Sequence, residues 1–119
     1  MEANELRIGN YAMGNKPFAV DANHIAMAYN HEIAQNGHER FKSIPLTEDW
    51  LIRFGFEKEE NNWYKLSICN DWTNLYWERL AGVELSVNKH SVMQPHIKYV
   101  HQLQNLYFAI TGTELTLKI

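Results

Sequence analysis

The chain has 119 residues, with eleven Lys and Arg against fourteen Asp and Glu, and a formal net charge of −3 at pH 7. Apolar residues make up 45% of it, which indicates one folded domain over residues 1–119 and excludes a disordered, collagen-like or low-complexity chain. Its basic residues are spread from Arg7 to Lys118 without a cluster, so the basic stripe that a binder of duplex nucleic acid needs is missing.

The first part of the chain predicts a β-hairpin and then a helix. Residues 6–13 and 18–20 are short strand candidates on either side of a turn that contains Gly14 and Pro17. Asp21 can accept hydrogen bonds from the free amides of a first helical turn, and apolar residues recur at helical spacing from residue 22 to about residue 30 or beyond. Another strand is predicted over residues 40–44.

The middle of the chain predicts a short helix followed by hairpins. Residues 47–55 begin with Thr47 at the cap position and end with Gly55, where a left-handed residue is favoured. Strands are then predicted at 56–58 and 63–69, and at 75–80 and 83–87 around a two-residue turn at residues 81–82. Asparagines that favour turns separate these short elements: Asn15, Asn36, Asn61, Asn62, Asn70, Asn74 and Asn88.

The last element is a long helix over about residues 96–111, opened by Pro95 and ended by Gly112. Its apolar side chains sweep an arc of roughly 200°, broader than a surface helix needs, so we expect cover on two sides. Gln104 lies inside that arc, and a buried amide must be hydrogen-bonded. It therefore either ties the helix to sheet backbone or lines a pocket or a subunit seam. Residues 114–119 can add a final strand.

These elements predict an α+β fold. We expect a curved, mainly antiparallel sheet of about six or seven short strands, with a long C-terminal helix and one or two short helices.

Aromatic residues are 13% of the chain, and their excess lies between Trp63 and Trp77. Neighbouring strand residues point to opposite faces, so both faces of the sheet carry large aromatic rings. One face builds the core, and the other is covered by a helix, a partner subunit or a ligand. Aromatic planes beside Lys or Arg suit the stacking of a base and the pairing of a phosphate. The predicted ligand-binding residues are Trp63, Lys65, Trp72, Tyr76, Trp77, Arg79 and Gln104; a core plus a dimer interface is the competing interpretation.

The sequence contains no recognisable catalytic or metal-binding pattern. The pairs at residues 31–32 and 38–39 repeat His-Glu seven residues apart, whereas a zinc-binding protease helix needs His at i and i+4. Cys69 is the only cysteine, which excludes an intramolecular disulfide and fits a reducing compartment. We therefore predict no catalytic residues, no metal and no cofactor. With neither a signal peptide nor an apolar run long enough for a membrane span, a cytoplasmic protein is expected.

Three stretches carry a resemblance: LRIGNYAMG at residues 6–14, IPLTEDWLIRFGFEK at 44–58, and IKYVHQLQNLYFAITGTELT at 97–116. Together they are similar to a family of small uncharacterised proteins carried by phages, prophages and mobile elements of gut anaerobes. The resemblance supplies no catalytic residues, but it implies a mobile-element setting, where accessory and anti-defence proteins are common.

The residues and the resemblance together suggest a non-enzymatic accessory protein in the host cytoplasm. We expect it to form a homo-oligomer and to bind a protein partner or sequester a small nucleotide-like ligand. Two alternatives stay open, a small hydrolase that uses His and Glu and a phage structural or assembly protein.

Overall fold

The computed structural model of this chain describes residues 6–14, 16–23, 25–26, 42–68 and 72–117. Residues 22, 23, 25 and 26 are helical, so the first helix begins at the predicted residue. The other elements, in chain order, are β1 (Tyr11–Met13), β2 (Pro17–Ala19), α1 (Glu48–Arg53), β3 (Glu57–Lys58), a 3₁₀ turn (Glu60–Asn62), β4 (Tyr64–Ile68), β5 (Thr73–Glu78), β6 (Gly82–Val87), β7 (His90–Gln94) and α2 (Val100–Thr111).

The strands form two antiparallel sheets, a five-stranded sheet in the order β3-β4-β5-β6-β7 and a two-stranded sheet of β1 and β2. The α+β class, the antiparallel pairing and the C-terminal helix are thus confirmed. Among the described residues the larger sheet has five strands rather than the expected six or seven, because β1 pairs with β2 and with Lys42 instead of joining it.

Turn chemistry explains most of the strand boundaries. Asn61, Asn62 and Asn88 have φ angles of 63°, 68° and 50°, in the left-handed region that asparagine tolerates. Asn88 and Lys89 form a two-residue turn into β7, a strand that the sequence did not predict. Asn74 was wrongly assigned to a turn, since it lies buried within β5.

The β5–β6 connection also differs from the prediction. Glu78 pairs with Gly82, so residues 79–81 form a three-residue loop in place of the two-residue turn. Gly82 has a φ of 84°, the left-handed conformation that commonly closes such a loop. The carboxylate of Glu78 accepts hydrogen bonds from the amides of Leu80 and Ala81 at 2.9 and 2.7 Å, which satisfies the loop backbone.

The larger hydrophobic core lies between α1, α2 and one face of the five-stranded sheet, which we call the inner face. Trp50, Leu51 and Phe54 come from α1, and Val100 and Leu103 from α2. The sheet contributes Tyr64, Ile68, Leu75, Trp77 and Val83. Apolar spacing therefore predicted these buried helix residues correctly. It was wrong for His101, which was expected on the polar face of α2 and is fully buried, and for Phe108, which was expected in the apolar arc and is 39% exposed.

The two ends of α2 differ in how well they were predicted. Gly112 ends the helix with a φ of 74°, as expected. The helix begins at Val100 rather than near residue 96, because residues 97–99 run alongside residues 44–46. In that pairing Leu46 donates to Lys98, and Val100 donates to Ile44. Residues 114–117 form no strand, although Leu115 enters the core.

Several expectations lie outside the described residues. They are the continuation of the first helix beyond residue 26, the pairs His31-Glu32 and His38-Glu39, Cys69, and the turns at Asn15, Asn36 and Asn70.

Candidate functional site

Two aromatic rings lie together on the face of the five-stranded sheet that points away from the core, which we call the outer face. Trp63 and Tyr76 are half-buried, and their ring centroids are 6.5 Å apart in an edge-to-face arrangement. Tyr64 and Trp77, the residues that follow Trp63 and Tyr76 in the sequence, point to the inner face and form a second ring pair whose centroids are 5.8 Å apart. The expectation that both faces carry aromatic rings is confirmed.

The outer face presents one row of charged, aromatic and apolar side chains across all five strands. In order from β3 to β7, the directly paired residues are Glu57, Lys65, Tyr76, Glu84 and Met93. The neighbouring row has small polar side chains: Ser67, Asn74, Ser86 and Ser91. The first row thus offers an aromatic centre with charges on both sides of it.

Carboxylates outnumber the lysine in this row. Lys65 pairs directly with Glu57 across β3 and β4, and its Nζ is 3.9 Å from Glu59. Glu84 flanks Tyr76 on the far side. Side chains in the Lys65–Glu59 pair are 34% and 47% exposed, so solvent weakens their attraction. A phosphate beside Tyr76 would meet this surplus of negative charge, whereas a cationic or neutral group would not.

Five of the seven residues predicted for a ligand site are exposed or half-buried. Trp63, Lys65 and Tyr76 share the outer face, as described. Trp72, directly before β5, is 59% exposed, and its carbonyl accepts a hydrogen bond from Asn88 at 2.8 Å. Arg79 is exposed in the β5–β6 loop.

The other two predicted residues are buried away from the outer face. Trp77 is 5% exposed within the core. Gln104 is 1% exposed; its Oε1 accepts from the Tyr11 amide at 2.8 Å, and its Nε2 donates to the Gly9 carbonyl at 3.2 Å. The interpretation that Gln104 ties the helix to backbone is confirmed, although that backbone belongs to β1 and the segment before it.

A polar cluster that the sequence did not predict fixes the first described segment on α2. Arg7 donates from Nε to Asn105 Oδ1 at 2.7 Å and forms a salt bridge with Glu114. Fully buried Asn10 donates to the same Asn105 oxygen at 3.0 Å, and the Arg7 guanidinium lies 4.2 Å from the Phe108 ring centroid. Asn10, which interrupts the alternation of residues 6–13, was the one sequence signal for it.

Within the described residues, no three His, Cys, Asp or Glu side chains are grouped so that they could hold a metal ion. The described helices are also too short or too polar to cross a membrane.

Tyr64 is a buried residue whose pKa is changed by the fold. Burial raises the pKa of its phenol above the ordinary value of about 10, and Glu48 raises that pKa further by accepting a hydrogen bond and by its negative charge. In the unfolded chain Tyr64 loses its proton near pH 10, whereas in the folded protein it keeps the proton to a higher pH. The resulting stabilisation is complete below about pH 10 and declines as the pH rises above it.

We expect the free energy of unfolding to fall more steeply above about pH 10 in the wild type than in Tyr64→Phe, which has no proton to lose. Urea unfolding at a series of pH values measures both slopes. Because the two proteins differ only at this residue, the difference between their slopes reports Tyr64. Equal slopes would contradict the raised pKa.

Comparison of the chain with protein-family models, with curated proteins and with solved structures gives no match.

Proposed function

We propose that this chain is a non-enzymatic accessory protein of a phage or mobile element, and that it binds a protein partner through its outer face. One observation carries this proposal: Trp63 and Tyr76 form an aromatic pair outside the core, where neither ring is needed to fill the space between the sheet and the helices. The resemblance in sequence supports the mobile-element setting. It also supports a place in the host cytoplasm and an anti-defence role.

The charges around the aromatic pair favour a protein partner over a nucleotide. A basic segment of a partner would find aromatic faces for cation–π contacts and the carboxylates of Glu57, Glu59 and Glu84 for ion pairs. A nucleotide base could stack on the same rings. Its phosphates, however, would be attracted by Lys65 alone in this row and repelled by those carboxylates. We also propose that the protein acts as a homo-oligomer.

Photo-crosslinking tests this proposal directly. A photoreactive phenylalanine analogue replaces Trp63 in one variant and Ile52 in a control; Ile52 is 56% exposed on α1. We expect covalent adducts with a host or phage protein from position 63 and not from position 52. Equal yields from both positions, or none from position 63, would overturn the assignment of this face.

The identified partner then allows its affinity to be measured by calorimetry. We expect Trp63→Ala to weaken binding by roughly 2- to 30-fold, which corresponds to about 0.5–2 kcal/mol of cation–π energy. Glu84→Gln should weaken binding and make it less sensitive to salt, because it removes one ion pair. A thermal shift with a nucleoside phosphate that disappears in Trp63→Ala would instead favour the nucleotide-like ligand.

A further inference from the structure

The two edges of the five-stranded sheet are built differently. Edge strand β3 has two residues, Glu57 and Lys58, and both are charged, which is a common protection against pairing with another chain. The opposite edge, β7, has five residues, His90–Gln94, without Asp, Glu, Lys, Arg or Pro. All of them except half-buried Gln94 are exposed, and no strand in the described part of the chain pairs with the free side of β7.

The register of the β6–β7 hairpin identifies which backbone groups of β7 are free. Its two-residue turn, with φ angles of 50° and 71°, makes the flanking pair Val87–His90 a hydrogen-bonded pair. Hydrogen-bonded pairs alternate with non-hydrogen-bonded ones, so Val92 also directs its amide and carbonyl to β6. Gln94 is the next hydrogen-bonded position, and its carbonyl accepts a hydrogen bond from Ile97 at 3.1 Å. The amides and carbonyls of Ser91 and Met93 therefore point outward.

These outward groups complement a second copy of the same strand in one antiparallel register. With Val92 opposite its own counterpart, each Ser91 faces Met93 of the other copy, and all the outward amides and carbonyls of both strands are paired. Centring the pairing on Met93 would place Ser91 opposite Pro95, which has no amide hydrogen. Centring it on Ser91 would place Met93 opposite Lys89, whose backbone is left-handed in the turn.

The side chains of β7 agree with this register. Val92 is 60% exposed on the inner-face side, and two copies of it would meet in a non-hydrogen-bonded pair, where side chains approach most closely. Met93, 42% exposed on the outer-face side, would pack beside Ser91 of the other copy. In this register no like charges lie opposite each other. Pairing two copies through β3 would instead place like charges opposite each other, because both of its residues are charged.

We propose that a second copy of this chain pairs antiparallel with β7, with the two-fold axis at Val92, and joins the two five-stranded sheets into one. Because that axis is perpendicular to the sheet, both outer faces lie on the same side and form one surface with two aromatic pairs. This interface rests on the homo-oligomer of the proposed function and specifies which strands join its subunits. Its formation requires no partner, so it can fail or succeed independently of binding at Trp63.

Disulfide formation tests the register. In a Cys69→Ser background, Val92→Cys places two thiols opposite each other at the axis, and we expect rapid oxidation to a covalent dimer. Met93→Cys is the register control, since its two copies would be diagonal neighbours about 7–8 Å apart, too far for an unstrained bond. Leu80→Cys, 85% exposed in the β5–β6 loop, reports random collisions. Oxidation of Val92→Cys no faster than that of Leu80→Cys would overturn the proposal.

Sedimentation equilibrium tests the association without a cross-link. We expect the wild type to approach twice its 14.0 kDa mass as concentration rises, and Leu80→Lys to behave like it. Val92→Lys should stay at 14.0 kDa, because two lysines would then meet at the axis. Circular dichroism of Val92→Lys confirms that the exposed substitution leaves the fold intact. A wild type that stays at 14.0 kDa at every concentration would refute the dimer.

Discussion

Replacing Trp77 with Ala is expected to lower the free energy of unfolding by about 3–5 kcal/mol. Trp77 is 5% exposed on the inner face and packs against Tyr64, so the substitution removes a large apolar surface and leaves a cavity that the sheet and helices cannot fully close. Small domains are stable by only about 5–15 kcal/mol, so this loss is a large share of the total. Urea unfolding followed by far-ultraviolet circular dichroism measures it without depending on tryptophan fluorescence.

The matched control is Trp63→Ala, which removes the same kind of side chain from the outer face, directly before the neighbouring strand β4. Half-buried Trp63 contacts Tyr76 edge-to-face, and aromatic pairs of this kind contribute about 0.5–1.5 kcal/mol beyond the area that they bury. We expect a loss near 1 kcal/mol. If the two variants were equally destabilised, the outer face would have to be a second core, and the proposal of a binding surface there would fail.

The contrast between Trp63 and Trp77 also shows what alternation along a strand can and cannot predict. The two-residue period of a strand predicted that Trp63 and Tyr64 point to opposite faces, and likewise Tyr76 and Trp77. It did not predict that Trp63 and Trp77 lie on different faces, because that depends on the register between β4 and β5. Which face becomes the core depends on where α1 and α2 dock, and no local pattern in residues 63–77 contains that information. The predicted site therefore combined residues of both faces.

The edges of the fold illustrate a second limit. Residues 88–94 have few of the β-branched and aromatic residues that identify a strand, so β7 went unpredicted, although its turn residue Asn88 was assigned correctly. Tertiary pairing with β6 overrides weak local preference at this strand. The start of α2 was predicted wrongly for a related reason. Backbone pairing of residues 97–99 with residues 44–46 competes with helix formation there.

Replacing Gln104 with Leu is expected to cost about 2–4 kcal/mol, although the new side chain is apolar and close in size. The substitution leaves the Tyr11 amide and the Gly9 carbonyl without the side-chain partners that they have in the wild type. Each buried backbone group that loses its partner carries a desolvation penalty of about 1–3 kcal/mol. The same two bonds fix the segment before β1 on α2, so their loss should also loosen that segment.

Gln102→Leu makes the same substitution two residues earlier in the same helix, and it likewise removes two side-chain hydrogen bonds. Gln102 Oε1 accepts from the amides of Lys98 and Tyr99 at 2.8 and 3.0 Å, but at the exposed start of α2, where water can replace it. We expect a loss of about 0.5–1 kcal/mol, in the range of helix caps.

Hydrogen exchange distinguishes the two variants locally. Exchange of the Tyr11 amide should accelerate in Gln104→Leu well beyond the change in global stability, and in Gln102→Leu only in proportion to that change. Equal costs for the two substitutions, with Tyr11 equally protected, would mean that burial does not determine the strength of the Gln104 contacts.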